Sequence, residues 1–212
     1  MKNKIVLFLL CFAIAFAIKA QSVAAPEKMN ILYIGVDNPV LLSLGNVPQQ
    51  ELDITLTQGK IEKIPARTNA YMVRVNTPGD MTITVSHKGK VMGKHVFRVK
   101  RIPNPVARLP LYDRSNEISS ATLRTLTGLV TLIENFDFDV RCPVNSFTLL
   151  YKSTDCKTTK VENEGATFNP RILELIKKAR VGDIYIFQDI KAKCPEDINT
   201  RLINDISISI KP

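Results

Sequence analysis

The chain has no tryptophan and only two histidines among its 212 residues, and this scarcity excludes several classes of protein. A metal site needs three or four ligands, and neither a cysteine nor a cluster of carboxylates lies near His87 or His95 in the sequence. The cysteine pair and buried tryptophan of antibody domains are also missing. No nucleophile elbow, HExxH, P-loop or GxGxxG motif occurs. We therefore predict a protein that is not an enzyme and that binds no cofactor or metal.

Long apolar runs are absent except at the start, where Lys2 and Lys4 precede the run from Ile5 to Ile18. This run is shorter than the roughly 20 residues that a membrane-spanning helix needs, and it has the layout of a secretory signal peptide. We predict that residues 1–20 are removed, with Ala24 or Ala25 as alternative cleavage sites, and that no transmembrane span remains in the mature chain. The alternative is a retained membrane anchor. Export predicts a periplasmic protein, with an extracellular location as the other outcome.

The mature chain remains basic without the signal peptide. Loss of Lys2, Lys4 and Lys19 lowers the formal net charge from +9 to +6. A positive charge attracts acidic proteins and polymers over a long range. The lysines and arginines are scattered, however, and no basic cluster is interleaved with aromatic residues, so the sequence predicts no nucleic-acid partner.

Three cysteines remain after export, at Cys142, Cys156 and Cys194. In an oxidising compartment two of them can pair and leave one over. The spacing leaves the connectivity open, but Cys142 and Cys156 flank the strand-like stretch VNSFTLLY, which favours a bridge between these neighbouring segments. Metal binding by three thiols is the alternative, and the lack of a CxxC pair weighs against it.

Residues 27–100 show the period of two that is typical of β-strands. The stretches ELDITL, YMVRV and MTITVS each place apolar side chains at every second position. Turn residues separate these runs and give about seven strands in roughly 70 residues. This spacing predicts an Ig-like antiparallel β-sandwich over residues 27–100. His87 and His95 then lie on the two strands of one hairpin, which turns at Lys88 and Gly89, and we interpret them as surface or edge histidines.

The tripeptide Asp37-Asn38-Pro39 interrupts two apolar stretches near the start of this domain. Short Asp and Asn side chains hydrogen-bond the local backbone and favour turns, and proline supplies no donor to a strand ladder. We therefore interpret the three residues as a turn between the opening strands. The alternative is a cation or ligand site at Asp37, which a single carboxylate supports only weakly.

Residues 101–110 contain three prolines in a basic stretch. Proline restricts its own backbone and that of the residue before it, so the segment is held extended. We predict a proline-rich linker here, followed by a second domain over residues 111–211.

The second domain is predicted to be β-rich α+β with one short helix. Asn169 suits an N-cap and Pro170 the first helical position, and the apolar residues that follow recur at helical spacing, which predicts a helix over 170–180. Strands are predicted at ENFDFDV, VNSFTLLY, VGDIYIFQDI and INDISISI. Residues 115–135 suit either a strand or a frayed helix, and we favour a strand over 127–134. Asp137 and Asp139 share one face of ENFDFDV. Paired carboxylates serve glycoside hydrolysis, but a solvated strand face is the simpler interpretation.

Several stretches resemble the GldM family, also called PorM, of the gliding-motility and type IX secretion machinery of Bacteroidetes. MNILYIGVDNPV, and the stretch that runs from RTNAYMVRV to FRVKRIPNPVARL, are similar to the third periplasmic domain and its connector. ENFDFDVRCPVNSF and VGDIYIFQDIKAKCPEDINTRLINDISISI are similar to the C-terminal domain. The resemblance covers nearly all of residues 27–211.

This resemblance implies two β-rich domains at the distal end of a dimeric periplasmic rod that reaches toward a ring of partner proteins at the outer membrane. We expect this chain to lack the family's inner-membrane helix and its upstream domains, and so to transmit no torque by itself. Cys194 stands where the family tends to have a glycine in a GPDG-like turn, so that loop need not bind the same partner.

The sequence thus predicts a non-catalytic periplasmic interaction protein, an accessory or paralogue in gliding or secretion. Its expected partners are envelope proteins, including secretion-ring components, which it would bind through exposed strand edges. The resemblance also implies a homodimer. The alternative is a free-standing module that binds an envelope polymer or a small ligand.

Overall fold

The computed structural model describes residues 22–26, 30–110 and 116–212. The predicted signal peptide, residues 1–20, lies outside the described residues. The chain divides into two compact units, residues 1–100 and 101–212. Both are built mainly from β-strands, which confirms the predicted fold class.

The first unit is a sandwich of two four-stranded sheets. The sheets have the strand orders β1-β3-β6-β5 and β2-β8-β7-β4. Every pair is antiparallel except β2 with β8, which is parallel. The strands are β1 (Ser22–Pro26), β2 (Ile31–Tyr33), β3 (Asn38–Leu44), β4 (Leu52–Leu56), β5 (Lys60–Lys63), β6 (Ala70–Arg74), β7 (Gly79–His87) and β8 (Lys90–Lys100), with a 3-10 turn at Gln49–Glu51 before β4.

The core of this sandwich is formed by the apolar side chains that occur at every second position of the strands. Met81, Ile83 and Val85 on β7 are completely buried and pack in one apolar cluster with side chains from the other sheet. Burying each such side chain stabilises the fold by roughly 1.5–3 kcal/mol. On β4, by contrast, Leu52 is buried whereas Ile54 and Leu56 are only half-buried, because β4 is the last strand of its sheet.

The predicted hairpin turn between β7 and β8 is confirmed. Lys88 and Gly89 both have positive φ angles, of 49° and 75°, and His87 pairs with Lys90. Positive φ at both central residues is the conformation of a type I′ turn, whose twist matches that of the flanking strands.

The second unit is one six-stranded sheet with a separate two-stranded ribbon and two helices. Five strands run in the order β10-β16-β14-β12-β13, β15 pairs with β14, and β9 pairs with β11. The elements are β9 (Val106–Arg108), β10 (Glu117–Ser119), α1 (Ser120–Thr125), β11 (Val130–Leu132), β12 (Val144–Lys152), β13 (Thr158–Glu164), α2 (Pro170–Lys177), β14 (Ile184–Ala192), β15 (Arg201–Leu202) and β16 (Ile206–Lys211).

The helix predicted over 170–180 is present as α2 and covers the core of this sheet. Asn169 caps it, because its Oδ1 accepts a hydrogen bond from the backbone N–H of Ile172 at 3.0 Å. The helix ends three residues earlier than predicted, since Lys178 leaves the helical backbone with ψ near 2°. Ile172 and Ile176 are buried in the same cluster as the central strands β12 and β14.

Residues 116–140 differ in part from the prediction. A second short helix, α1, starts there, and its N-cap Ser119 accepts a hydrogen bond from the N–H of Thr122 at 3.1 Å. The strand predicted over 127–134 is reduced to β11. ENFDFDV is not a strand, because Asn135 turns the chain with φ at 53° and the rings of Phe136 and Phe138 pack on one another with centroids 5.3 Å apart.

The segment predicted as a linker contributes to the second unit. It contains β9, and Ile102, Ala107 and Leu109 are each buried. Its prolines hold the chain extended, and Ala107 and Leu109 anchor the segment in the apolar core of the second unit.

Candidate interaction surfaces

Asp37 and Asn38, the interruption in the first strand region, have separate roles. Asp37 is exposed and its Oδ1 accepts a hydrogen bond from Nε of Arg74 at 2.6 Å, so a cation already neutralises this carboxylate. Asn38 is buried at the first position of β3. Its Oδ1 accepts from the N–H of Tyr33 at 2.7 Å, and its Nδ2 lies within 3.1 Å of the carbonyls of Tyr33, Val36 and Val73.

The predicted turn is therefore displaced by a few residues. The chain turns at 34–36, and Asn38 and Pro39 belong to the strand that follows. The buried amide satisfies the backbone groups that the turn leaves without a ladder partner, and that is the physical reason for a polar residue at this point.

The two histidines do not come together. His87 pairs with Lys90 across the hairpin, whereas His95 lies opposite Ile83. Nε2 of His87 lies 3.1 Å from a carboxylate oxygen of Glu51, and burial lowers the pKa of His95. Within the described ranges, no group of three or more His, Cys, Asp or Glu side chains has the arrangement of a metal site. Asp137 and Asp139 are exposed in the loop after β11.

The structure joins Cys142 to Cys194, and Cys156 is an exposed free thiol. This differs from the bridge between Cys142 and Cys156 that the flanking positions favoured. Nine residues of β12, about 30 Å of strand, separate Cys142 from the hairpin turn that carries Cys156. Val144 pairs with Ala192, so the antiparallel register of β12 and β14 brings Cys142 and Cys194 to the same end of the sheet.

Beside this disulfide lies a charged cluster that the sequence patterns did not reveal. Arg201 donates to both oxygens of Asp197 at 2.8–3.0 Å and to Oε1 of Glu196 at 2.5 Å. It also donates to the carbonyl of Ile102 at 2.7 Å, while the N–H of Ile102 donates to Glu196 at 2.9 Å. These hydrogen bonds therefore connect Ile102, at the start of the second unit, to the loop that follows Cys194. The sequence signal that could have indicated this cluster is the pair of opposite charges four residues apart, Asp197 and Arg201.

The charges of this cluster are almost completely removed from water. The side chains of Glu196, Asp197 and Arg201 are 0%, 7% and 16% exposed. Burial alone would raise the pKa of Asp197, but the hydrogen bonds from Arg201 and the Cys194 N–H, with the positive charge of Arg201, outweigh it and lower that pKa. A buried ion pair of this kind specifies one loop conformation and is costly to break.

Asp183 is a second buried carboxylate with a structural role. It accepts hydrogen bonds from the Tyr151 hydroxyl at 2.9 Å, the Thr154 N–H at 3.0 Å and the Arg180 N–H at 2.9 Å. These donors come from the end of β12, the turn after it and the loop after α2. Burial and the hydrogen bond to Asp183 raise the pKa of Tyr151 to about 12.

Two sheet edges in the second unit are partly closed by side-chain amides. Asn204 exchanges two hydrogen bonds with Ala107 on β9, its Oδ1 accepting at 2.7 Å and its Nδ2 donating at 3.1 Å. Nδ2 of Asn169 donates to the carbonyl of Glu162 on β13 at 3.0 Å. Such groups occupy the backbone positions that an added strand would use. Strand addition at these two edges is therefore disfavoured.

The β9–β11 ribbon carries exposed apolar side chains. Val130 and Leu132 are 45% and 48% exposed, and as alternate residues of β11 they face the same side. Leu132 pairs with Val106, and Val130 pairs with Arg108, whose guanidinium forms an ion pair with Glu134. We name Val106, Val130 and Leu132 the ribbon patch. An apolar centre with a charged rim is the usual composition of a protein interface.

These features define a class of protein with two successive β-rich domains, in which the buried carboxylates Asp183, Glu196 and Asp197 hold the fold together. Family models match almost the whole chain: the GldM third domain matches residues 21–100, and the GldM C-terminal domain matches residues 103–211. The chain therefore belongs to the GldM family, as the sequence resemblance implied. Membership relates it to gliding motility and type IX secretion.

The solved structures that match the chain are distant. They include the Yersinia pseudotuberculosis adhesin InvE (TM-score 0.32, 13% identity, 89% of this chain), domains 6–7 of the surface layer protein SbsC (0.31, 11%, 90%) and Yersinia pseudotuberculosis InvD (0.29, 11%, 91%). The chain spans 58%, 97% and 70% of those three chains. No curated protein matches it. In the part of the chain that the structure describes, no helix is long and apolar enough to cross a membrane.

Proposed function

We propose that this protein is a non-catalytic interaction component of the gliding-motility or type IX secretion machinery, an accessory or paralogue of its GldM-type rod. The match of both family domains over residues 21–100 and 103–211 carries the proposal. The paired carboxylates support it, since exposed Asp37 and the buried Asp183 and Asp197 all accept hydrogen bonds that serve the fold.

We assign the protein to the periplasm, and we propose that its signal peptide is removed on export. The mass of the exported protein should correspond to a chain that begins at Gln21, and cell fractionation should recover it with soluble periplasmic proteins. A full-length mass in the membrane fraction would identify a retained anchor and contradict this assignment.

The ribbon patch is the surface that we assign to the partner. Exposed apolar side chains with a charged rim suit a protein better than a hydroxyl-rich polymer, and the amides at the partly closed edges of β9 and β13 disfavour strand addition there. The partner that the family implies is an envelope protein of the secretion ring. A homodimer is a further proposal from the family, and light scattering that gives a strict monomer would retract it.

An affinity capture from envelope extracts tests this function. Tagged mature protein should recover secretion-ring components, identified by mass spectrometry, and Leu132→Asp should lose them. The matched control is Val181→Asp, because Val181 is 55% exposed in the same unit but lies outside the ribbon patch. Circular dichroism must show that both variants fold.

Two outcomes would overturn the proposal. Recovery of glycan without secretion-ring proteins would contradict the secretion role. Equal recovery of those proteins by Leu132→Asp and Val181→Asp would contradict the assignment of the ribbon patch while leaving the secretion role intact.

A further inference from the structure

The loop that joins β14 to β15 carries the most exposed large apolar side chain among the described residues. Ile198, in the middle of this loop, is 90% exposed, and Leu202, on β15, is 66% exposed. We name residues 193–200, together with Leu202, the β14–β15 tip. This surface is separate from the ribbon patch, and the proposed function does not use it.

Both ends of the loop are anchored to the fold. At its start, Cys194 is bonded to Cys142, and the N–H of Cys194 donates to Oδ2 of Asp197 at 2.9 Å. At its end, Arg201 donates to both oxygens of Asp197 at 2.8–3.0 Å. A single exposed apolar side chain is ordinary on a protein surface, but Ile198 is presented by an anchored loop. Such a loop loses less conformational freedom on binding than a flexible one does.

The carboxylates nearest to Ile198 in the loop are withdrawn from the surface. The side chains of Glu196 and Asp197 are 0% and 7% exposed, and both accept hydrogen bonds from Arg201. The acidic charges of the loop are therefore paired inside the fold. The other exposed residues between Cys194 and Arg201 are uncharged, namely Pro195, Asn199 and Thr200.

The nearest exposed charges along the two strands are positive. Lys193 and Lys191 are exposed, and Lys191 lies opposite Leu202 where β14 pairs with β15. Exposed carboxylates occur only farther along, with Asp189 two residues before Lys191 and Asp205 three residues after Leu202. At about 3.3 Å per residue of strand, these carboxylates lie about 7–10 Å farther from the loop.

A third cation near the loop comes from the start of the second unit. Arg101 is exposed. Burial alone would raise the pKa of Asp197, but the hydrogen bonds from Arg201 and Cys194 lower it. The charge of Arg101 adds to that lowering, which places Arg101 near this carboxylate. The surface around Ile198 thus combines an aliphatic tip with three exposed cations.

This composition favours a lipid surface over a protein pocket. Protein interfaces are depleted in lysine, and their strongest anchors are aromatic residues and arginine, whereas leucine is under-represented among them. Residues 188–205 include no aromatic residue, and their one arginine, Arg201, is engaged inside the fold. Aliphatic side chains enter the boundary between lipid headgroups and acyl chains, and lysine and arginine are attracted to anionic headgroups.

We propose that the β14–β15 tip docks on a phospholipid surface that contains anionic headgroups. Ile198 and Leu202 enter the interface, and the three cations contact the lipid phosphates: Lys191, Lys193 and Arg101. Two aliphatic side chains and three cations give weak binding that salt reverses, unlike the insertion of a membrane-spanning helix. This docking requires no partner at the ribbon patch.

The absence of tryptophan from the chain permits a direct test. Ile198→Trp gives the mature protein a single indole at the tip, whose emission moves to shorter wavelength when the ring enters a lipid interface. The probes are vesicles of about three parts phosphatidylethanolamine to one part phosphatidylglycerol, compared with neutral phosphatidylcholine vesicles. We expect a saturable blue shift with the anionic vesicles. The shift should be absent with phosphatidylcholine and should disappear in roughly 0.5 M NaCl.

Val181→Trp is the matched control for this measurement. Val181 is 55% exposed in the same unit and follows the exposed cations Lys177, Lys178 and Arg180, but it lies outside the tip. Its surroundings therefore have a comparable charge without the anchored loop. The emission of this variant should not change when vesicles are added. Circular dichroism must show that both tryptophan variants fold.

Vesicle sedimentation of the tryptophan-free protein measures the separate contributions. Ile198→Asp should weaken the partitioning onto anionic vesicles by about tenfold. Lys191→Gln and Lys193→Gln should each weaken it by about fivefold. Lys60→Gln removes the same charge from an exposed position on β5 in the first unit and should leave the partitioning almost unchanged.

Three results would overturn the proposal. If the unmodified protein does not sediment with anionic vesicles, the tip is not a lipid-docking surface. Sedimentation that survives Ile198→Asp, or a blue shift in Val181→Trp but not in Ile198→Trp, would place the docking surface elsewhere. A shift of the Ile198→Trp emission with the secretion-ring proteins recovered by affinity capture, but not with vesicles, would assign the tip to a protein partner.

Discussion

Asn38 is a buried amide whose hydrogen bonds connect the first turn to strands β3 and β6. We expect Asn38→Ala to lower the free energy of unfolding of the first unit by about 2–3 kcal/mol, because the groups at Tyr33, Val36 and Val73 lose a buried partner. Urea unfolding followed by circular dichroism measures the change.

The adjacent residue provides the control for this prediction. Asp37 forms an ion pair with Arg74 in which both side chains are more than half exposed, at 54% and 52%. Exposed pairs contribute about 0–1 kcal/mol, so Asp37→Asn should leave the urea midpoint almost unchanged. A larger effect of Asp37→Asn than of Asn38→Ala would reverse our assignment of roles to these two neighbours.

Tyr151 should make the stability of the second unit sensitive to alkaline pH. Burial first, and then the hydrogen bond to Asp183, raise its pKa to about 12, whereas an unfolded tyrosine ionises near pH 10. The folded chain therefore keeps a proton that the unfolded chain loses, and this stabilisation is complete below about pH 10 and is lost as pH rises toward 12. Urea midpoints across that window should fall less steeply in Tyr151→Phe. Equal slopes would contradict the role of Tyr151.

Among the elements, those with a strong local signal were the ones that sequence could predict. Asn169 and Pro170 identify the start of α2, Lys88 and Gly89 identify a hairpin turn, and alternation identifies β7 and β14. Each of these depends on a few consecutive residues, whose backbone preferences and periodicity act before any distant contact forms.

The elements that sequence did not predict depend on partners far along the chain. Residues 134–140 alternate like a strand, yet a strand requires a neighbour to pair with, and the described chain supplies none there. The partner of Cys142 follows from the register of β12 with β14, which residue spacing does not contain.

Arg201 should be the most sensitive charged residue of the loop after β14. Removing it leaves Glu196 and Asp197 buried without a counter-charge, so Arg201→Gln should lower the free energy of unfolding by about 3–5 kcal/mol near neutral pH. The hydrogen bonds and the charge of Arg201 outweigh burial and hold the pKa of Asp197 below its ordinary value in the folded chain. The stabilisation that the Asp197 carboxylate provides is present above the pKa of Asp197 in the unfolded chain. It is lost as the pH falls through the lower pKa of Asp197 in the folded chain.

The difference between wild type and Arg201→Gln should therefore shrink as pH falls below about 4. Urea unfolding at several acidic pH values measures it, and Arg74→Gln, which breaks an exposed pair, is the matched control. A difference that stays constant with pH would show that Arg201 acts by packing and backbone contacts rather than by charge.

The disulfide closes the loop between β12 and the segment after β14, at a sequence separation of 52 residues. A thiol assay of the unfolded, unreduced mature protein should detect one free cysteine, and Cys156→Ser should abolish that signal. Cys142→Ser would instead expose a new thiol at Cys194. A free thiol at Cys194 in the unmodified protein would contradict the pairing and restore the bridge between Cys142 and Cys156.

For the whole molecule, two separate apolar clusters predict two unfolding events. One cluster is built only from residues of the first unit and the other only from residues of the second. Calorimetry of the mature protein should resolve two transitions that respond to different changes. Asn38→Ala should lower the midpoint temperature of one transition. Reduction of the disulfide, which removes about 2–4 kcal/mol of stability, should lower the midpoint temperature of the other. Asp183→Asn should shift the same transition as reduction. A single transition that all three changes shift together would show that the two cores unfold as one cooperative unit.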